Sequence, residues 1–231
     1  MGKMVSYKRP DGKSVEGYLA EPSGGAAAAG VVVIQEWWGL TDQIKGVADR
    51  LAKVGYRALV PDLYRGKSTL DAKEAEHLMG GLNFGEAAGQ DVRGAVQHLK
   101  SSGSAKAGVT GFCMGGALTL LAAVNVPEAD ACAAWYGFPP LEYVDASKIK
   151  APLLGHYATE DQFFPIAKVD ELEKKLRDAG VKFEFHRYKA KHAFANEEAN
   201  ERKLPPLEYH PQAAEQAWSR TLEFFDRNLK R

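Results

Sequence analysis

A cysteine with a glycine two positions away on each side is the part of this sequence best suited to chemistry. The stretch reads Gly111-Phe112-Cys113-Met114-Gly115, after an apolar run at 107–110 and before a helical pattern at 117–123. It is a G-x-S-x-G nucleophile elbow with a thiol in place of the hydroxyl. The sharp turn strains the central residue, requires glycine at both flanks, and places the thiol at a helix N-terminus that favours a thiolate. A buried structural cysteine is the alternative.

An acid and a histidine follow later strands in the order that a nucleophile–acid–histidine triad requires. Asp161 comes just after the predicted strand at 152–157, and His192 comes after the predicted strand at 182–188. The histidine could shuttle a proton and pair with the thiolate of Cys113, while the carboxylate would orient the imidazole. Glu160 is a rival for the acid role; the Asp-x-x-x-Pro spacing favours Asp161. Each residue alone could instead be a helix cap or a solvated loop side chain.

The elements that must position these residues alternate between short apolar strands and amphipathic helices. Strands are predicted at 15–20, 31–34, 57–60, 107–110, 131–136, 152–157 and 182–188, the first antiparallel at a sheet edge. Helices are predicted at 42–54, 72–79, 86–99, 166–178 and 211–228. This alternation predicts an α/β fold, with a mainly parallel central sheet flanked by helices on both faces. Ligands of such sheets bind beyond the carboxyl ends of the strands.

Composition narrows the possible functions. The 231 residues suit a single domain over 1–231, and 30 basic residues balance 30 acidic ones. We therefore expect neither nucleic acid nor an anionic membrane as a partner. No stretch suggests a membrane span or a signal peptide, so we expect a cytoplasmic protein, and we favour a monomer. The histidines lack zinc-like spacing and no cofactor or metal is expected; Cys132, in an apolar run, is predicted to be a core residue.

These motifs together resemble the dienelactone hydrolase family, whose members have the α/β-hydrolase fold. The resemblance covers nearly the whole chain. The matching segments are Gln35-Glu36-Trp37-Trp38-Gly39, Pro61-Asp62-Leu63-Tyr64, Gly111-Phe112-Cys113-Met114-Gly115-Gly116, 161–165 and His192-Ala193-Phe194. The combination of a cysteine elbow with Gln-Glu after a core strand is specific to this family, because most relatives outside it carry serine and lack the glutamate.

The resemblance implies a role for each residue of the site. Cys113 would be the nucleophile, His192 the base and Asp161 its orienting acid, with an oxyanion hole formed by the backbone N–H groups of Met114 and Trp37. The reaction would be hydrolysis of a small ester or lactone through a thioester intermediate. Glu36 would lie beside the thiol and take part in forming the thiolate when substrate arrives. By like-charge repulsion alone, a neighbouring carboxylate would oppose the thiolate.

Two positions at which the family carries arginine differ in this chain, and they bear on the substrate. The best-known members hold a carboxylate-bearing lactone with two arginines, but this chain has Asn196 at one such position and only Lys73 near the other. A neutral amide cannot form a bidentate salt bridge with a carboxylate. We predict that Trp38, Tyr136 and Asn196 contact the substrate. The alternatives to an enzyme are a non-catalytic protein on the same fold and a redox-sensing thiol protein.

Overall fold

Eight strands form one mixed sheet in the computed structural model of the chain, which describes residues 2–23, 25 and 27–230. The strands are β1 (Lys3–Lys8), β2 (Ser14–Ala20), β3 (Gly30–Ile34), β4 (Arg57–Pro61), β5 (Ala107–Phe112), β6 (Ala131–Trp135), β7 (Leu153–Ala158) and β8 (Phe183–Tyr188). Their order across the sheet is β1-β2-β4-β3-β5-β6-β7-β8. The pairs β1–β2 and β2–β4 are antiparallel, and all other pairs are parallel. The predicted mainly parallel sheet is confirmed.

Helices cover both faces of this sheet, as predicted. They are α1 (Asp42–Lys53), α2 (Ala72–Gly80), α3 (Phe84–Glu86), α4 (Arg93–Ser101), α5 (Met114–Asn125), α6 (Ile166–Asp178) and α7 (Pro211–Leu229). Helices α1 and α7 bury their apolar sides against one face, and α4, α5 and α6 against the other. Strand β3 explains why both faces need a cover of helices, because successive side chains of a strand point to opposite faces. Val31 and Val33 join one core, and Val32 and Ile34 join the other.

Two elements differ from the sequence prediction. Strand β1 forms the sheet edge, so β2, predicted there, is the second strand instead. Val5 and Tyr7 of β1 both pack against the core, but Met4 beside them is apolar and exposed, so the short run shows no clear alternation of apolar and polar residues. The helix predicted over 86–99 contains a π-helical segment, Ala87–Val92, before α4 begins. A π-helical turn shifts the helical register while keeping one apolar side buried, so amphipathic spacing does not reveal it.

The sheet brings the chemically interesting loops together. The loops after β3, β5, β7 and β8 carry Glu36, Cys113, Asp161 and His192 respectively. These four strands run parallel, and with β6 they occupy one continuous part of the sheet. All four side chains therefore lie beyond the same edge, at the carboxyl ends of the strands.

Candidate active site

Cys113 occupies the turn between β5 and α5 in a conformation that few side chains adopt. Its backbone dihedrals are φ 54° and ψ −116°, in the region that normally favours glycine. A Cβ atom on Gly111 would lie 2.2 Å from the carbonyl oxygen of Gly115, and one on Gly115 would lie 2.4 Å from that of Ile34. The flanking glycines are therefore required by close backbone approach, as the elbow pattern predicts, and the packed turn sustains the strain at Cys113.

Two further glycines allow the turn to sit against β6: Gly116, which belongs to the motif that resembles the family, and Gly137, for which the sequence predicted no role. A Cβ atom on Gly137 would lie 1.9 Å from the carbonyl oxygen of Cys113. One on Gly116 would lie 2.5 Å from the carbonyl oxygen of Trp135, whose oxygen also accepts a hydrogen bond from the Cys113 N–H at 3.0 Å. The glycine just after the β6 pattern was the available signal.

His192 is buried and held by Asp161. The imidazole Nδ1 lies 2.7 Å from Asp161 Oδ2, and both side chains are almost fully buried. The other carboxylate oxygen accepts hydrogen bonds from the backbone N–H groups of Phe163 and Phe164 at 2.8 and 2.9 Å. These bonds fix the carboxylate, which in turn fixes the ring orientation. The rival acid Glu160 is exposed, so the structure pairs Asp161 with the histidine.

The thiol of Cys113 is a near neighbour of the imidazole. Both residues line the same pocket, and the charge and hydrogen bonding of Cys113 act on the pKa of His192. Burial by itself disfavours the charged imidazolium, but the negative charge and hydrogen bond of Cys113, with those of Asp161, outweigh it. Together they raise the pKa of His192 to about 10. The arrangement is therefore suited to a thiolate–imidazolium pair, which is the reactive form of a cysteine nucleophile.

Glu36 lies in the same site, fully surrounded by protein. Its Oε1 accepts a hydrogen bond from the Tyr136 hydroxyl at 3.2 Å, and its Oε2 accepts one from Asn196 Nδ2 at 2.6 Å. Burial raises the pKa of Glu36, whereas the neighbouring charge of His192 and these two hydrogen bonds act in the opposite direction. The carboxylate is thus held in a fixed place by polar neighbours.

Contact of Trp38, Tyr136 and Asn196 with the substrate stays a prediction. None of the three belongs to the wall of the pocket that opens onto Cys113, and all are nearly fully buried. Tyr136 and Asn196 are instead occupied with Glu36. Trp38 packs edge-on against Trp37, with ring centroids 5.0 Å apart. A polar or aromatic residue near a strand end can thus support a site without lining it.

An apolar pocket of about 230 Å³ opens onto the thiol. Apart from Cys113 and His192, every side chain that lines it is apolar: Trp37, Met79, Phe84, Met114, Ala117, Phe138, Pro139, Pro140, Phe163, Phe164 and Leu207. Two of these rings also enclose the histidine, with Phe163 edge-on at 5.1 Å and Phe164 stacked at 5.5 Å. The pocket can therefore receive a small apolar group next to the sulfur and exclude water from it.

The backbone around the sulfur offers hydrogen-bond donors. Met114 is the first residue of α5, so its N–H has no acceptor within the helix. The N–H of Trp37, in the loop after β3, donates to no other group within the described part of the chain. Both residues line the pocket beside Cys113. Two free N–H groups at this position could stabilise a negatively charged oxygen.

Comparison with known proteins decides the family. The sequence profile of the dienelactone hydrolase family matches residues 15–229, almost the whole chain. This chain belongs to the dienelactone hydrolase family. It is 35% identical to "Protein usf" of Aquifex pyrophilus over 239 residues, which cover 99% of this chain and all of that protein. It is 33% identical over 242 residues to a provisionally named carboxymethylenebutenolidase of Aquifex aeolicus, with full coverage of both.

Solved structures agree. A provisionally named dienelactone hydrolase from Klebsiella pneumoniae superposes with a TM-score of 0.79 at 28% identity, over 97% of this chain and 98% of the other. This member of the dienelactone hydrolase family is therefore a hydrolase of carboxylic esters or lactones with the α/β-hydrolase fold, as the motifs predicted. No helix within the described residues is long and apolar enough to cross a membrane. The described residues also contain no group of three or more His, Cys, Asp or Glu side chains that could hold a metal ion.

Proposed function

We propose that this protein hydrolyses small, uncharged esters or lactones, with Cys113 as the nucleophile and a thioester as the intermediate. The observation that carries this proposal is the position of His192. Its Nδ1 is hydrogen-bonded to Asp161, and it lines the same apolar pocket as Cys113, whose charge raises its pKa. The nucleophile, the base and the orienting acid are thus brought together at one site.

The first half of the reaction forms the thioester. The thiolate of Cys113 attacks the carbonyl carbon of the bound ester, and the carbonyl oxygen becomes negatively charged. The N–H groups of Met114 and Trp37 stabilise that charge. The imidazolium of His192 gives its proton to the departing alkoxide as the carbon–oxygen bond breaks, which leaves an acyl group on sulfur and a neutral imidazole.

The second half releases the acid. His192 removes a proton from a water molecule, whose oxygen attacks the thioester carbonyl, again with the oxyanion held by the same N–H groups. The carbon–sulfur bond then breaks, the thiolate is restored, and the carboxylic acid leaves. Asp161 keeps the imidazole aligned and stabilises its charged form in both halves.

Two features of the wall support an uncharged substrate. None of the side chains that line the pocket is a lysine or an arginine, and Asn196 donates to Glu36 instead of facing the cavity. The imidazolium of His192 is already engaged with Asp161 and Cys113, so a substrate carboxylate would be buried without a cationic partner of its own, which costs several kcal/mol.

The test compares two cysteine variants. Hydrolysis of short p-nitrophenyl esters should be lost in Cys113→Ala and kept in Cys132→Ala. Cys132 is a suitable control because it is a fully buried core residue whose thiol has its pKa raised to about 12 by burial and the charge of Asp130. Ester hydrolysis that survives in Cys113→Ala would rule out the thiol mechanism.

A further inference from the structure

Arg202 carries a buried guanidinium at the end of the short 3₁₀ helix Ala199–Arg202, next to Trp38. The side chain of Arg202 is only 5% exposed. Its Nη2 donates to the carboxylate of Glu198. The Cζ atom of the guanidinium lies over the ring of Trp38, 5.2 Å from the ring centroid. Its Nε is buried and has no acceptor within the described residues. Burial of a cation with an unsatisfied donor costs stability, which indicates that this arginine has a function besides packing.

The contacts of Arg202 lead to Glu36 along the segment 196–202. The backbone N–H of Glu198 donates to Asn196 Oδ1 at 2.9 Å. Because the amide oxygen is occupied in this way, the amide nitrogen must point the other way, and it donates to Glu36 Oε2 at 2.6 Å. Arg202 thus anchors the residue that positions the amide, and the amide positions the carboxylate.

A second route reaches Glu36 through the loop after β3. Trp38, which Arg202 covers, is only two residues from Glu36 in that loop. One guanidinium therefore joins the loop that carries the carboxylate to the segment that hydrogen-bonds it. A planar guanidinium can stack on an aromatic ring and form a directed ion pair at the same time, which an ammonium group does poorly.

The electrostatics of the site give this cation a second role. Glu36 and Asp161 are buried carboxylates, and the proposed thiolate at Cys113 would add a third negative charge, against one imidazolium. Burial raises the pKa of Glu36, and the positive charge of Arg202 acts against that rise. The other groups that act on Glu36 are His192, Asn196 and Tyr136, and Tyr136 is itself influenced by Cys113 and Glu197.

We propose that Arg202 is a positioning residue that keeps Glu36 ionised and fixed behind the nucleophile, by joining Trp38 to the segment 196–202. Any effect of Arg202 on the rate of hydrolysis rests on the proposed function, in which Cys113 is the nucleophile. The effect of Arg202 on the ionisation of Glu36 does not depend on that function. Arg202 is not a substrate-binding group, because it does not line the pocket.

The test follows the titration of Glu36 through the thiol. The rate of Cys113 alkylation by iodoacetamide is measured against pH, and the step that disappears in Glu36→Gln is assigned to Glu36. In Arg202→Gln this step should move to higher pH by about half to one unit, a threefold to tenfold change in proton affinity. In Glu198→Gln it should move to lower pH, because the guanidinium loses a neutralising partner that is itself 37% exposed.

Arg50 offers a matched control. It lies over Trp218 at 4.3 Å and pairs at 3.0 Å with Glu197, next to Asn196 in the same segment. It is not among the groups that act on Glu36, so it tests whether loss of any arginine from this segment moves the step. The step should be unchanged in Arg50→Gln. Equal shifts in Arg50→Gln and Arg202→Gln would overturn the proposal. The absence of a shift in Arg202→Gln or in Glu198→Gln would also overturn it, provided that the variant unfolds at the same temperature as the wild type. A loss confined to anionic esters in Arg202→Gln would assign the cation to substrate binding instead. If Arg202→Gln does not fold, Glu198→Gln alone decides.

The proposed function and this inference fail separately. Ester hydrolysis that persists in Cys113→Ala would remove the thiol mechanism, and the titration of Glu36 could still depend on Arg202. Unchanged titration of Glu36 would remove the role of Arg202 and leave the mechanism intact.

Discussion

The charge state of His192 is the property of the site most open to direct measurement. Its pKa rises from an ordinary value of 6.5 to about 10, chiefly because the Cys113 thiolate overcomes the unfavourable effect of burial. One pKa unit corresponds to about 1.4 kcal/mol, so the folded site favours the imidazolium by roughly 5 kcal/mol. The side chain is only 3% exposed, so solvent screens this interaction little.

Replacement of the thiol should remove most of that preference. In Cys113→Ala the burial remains, while the charge of Cys113 and its hydrogen bonding are lost; Asp161 and the charge of Glu36 still oppose the burial. We expect the pKa of His192 to fall by about two units or more, which is roughly 3 kcal/mol. The imidazolium should therefore persist until the pH approaches 10 in the wild type, and should lose its proton at a lower pH in the variant.

Nuclear magnetic resonance of the imidazole nitrogens measures this directly. A titration of ¹⁵N-labelled protein, with His192→Gln to assign the signal, gives the pKa in the wild type and in Cys113→Ala. Cys132→Ala is the control and should titrate like the wild type, since Cys132 is a buried core residue. A wild-type pKa at or below 6.5, or equal values in the wild type and Cys113→Ala, would refute the thiolate–imidazolium pair.

Three further predictions follow from the geometry. Asp161→Asn should lower kcat/KM about 100-fold or more because the imidazole loses its orienting carboxylate, whereas Glu160→Gln, at the exposed neighbouring residue, should leave it unchanged; equal effects would contradict the assignment. Gly137→Ala should lower the free energy of unfolding by about 3 kcal/mol or more, because its Cβ would lie 1.9 Å from the carbonyl oxygen of the nucleophile. The control Gly46→Ala, in a helix with open space around it, should raise that energy by ~0.5–1 kcal/mol, and thermal or urea unfolding checks both. The uncharged p-nitrophenyl butyrate should have a kcat/KM about tenfold or more above that of mono-p-nitrophenyl succinate, because the pocket wall has no lysine or arginine and the imidazolium of His192 is already engaged with Asp161 and Cys113; a preference for the succinate would contradict the proposed substrate class.

The sequence predicted the parts of the site that depend on local patterns. Glycine spacing around Cys113 reports a backbone requirement, and the order of Asp161 and His192 after apolar strands reports the edge of a parallel sheet. Such signals are readable because one conformation or one topology demands them. The prediction of a mainly parallel α/β fold succeeded for the same reason, since buried parallel strands are continuous apolar runs.

The parts that were missed depend on tertiary contacts. Gly137 is required by the approach of β6 to the elbow, and these two segments are distant in the sequence. Trp38 and Tyr136 follow strands as pocket residues often do, and only the packing shows that both are buried and that neither lines the pocket beside Cys113. Arg202 looks like an ordinary surface charge in a polar stretch, because its burial over Trp38 arises from the fold of the segment after His192.

The identity of the nucleophile is the claim on which the mechanism depends, and mass spectrometry of the acyl intermediate tests it most directly. Wild-type protein is mixed with an excess of p-nitrophenyl butyrate, quenched in acid within the first turnovers, and digested, and fragment masses locate the acyl group. The mechanism predicts a butyryl thioester on Cys113 and none on Cys132. A butyryl group on any other residue would contradict it.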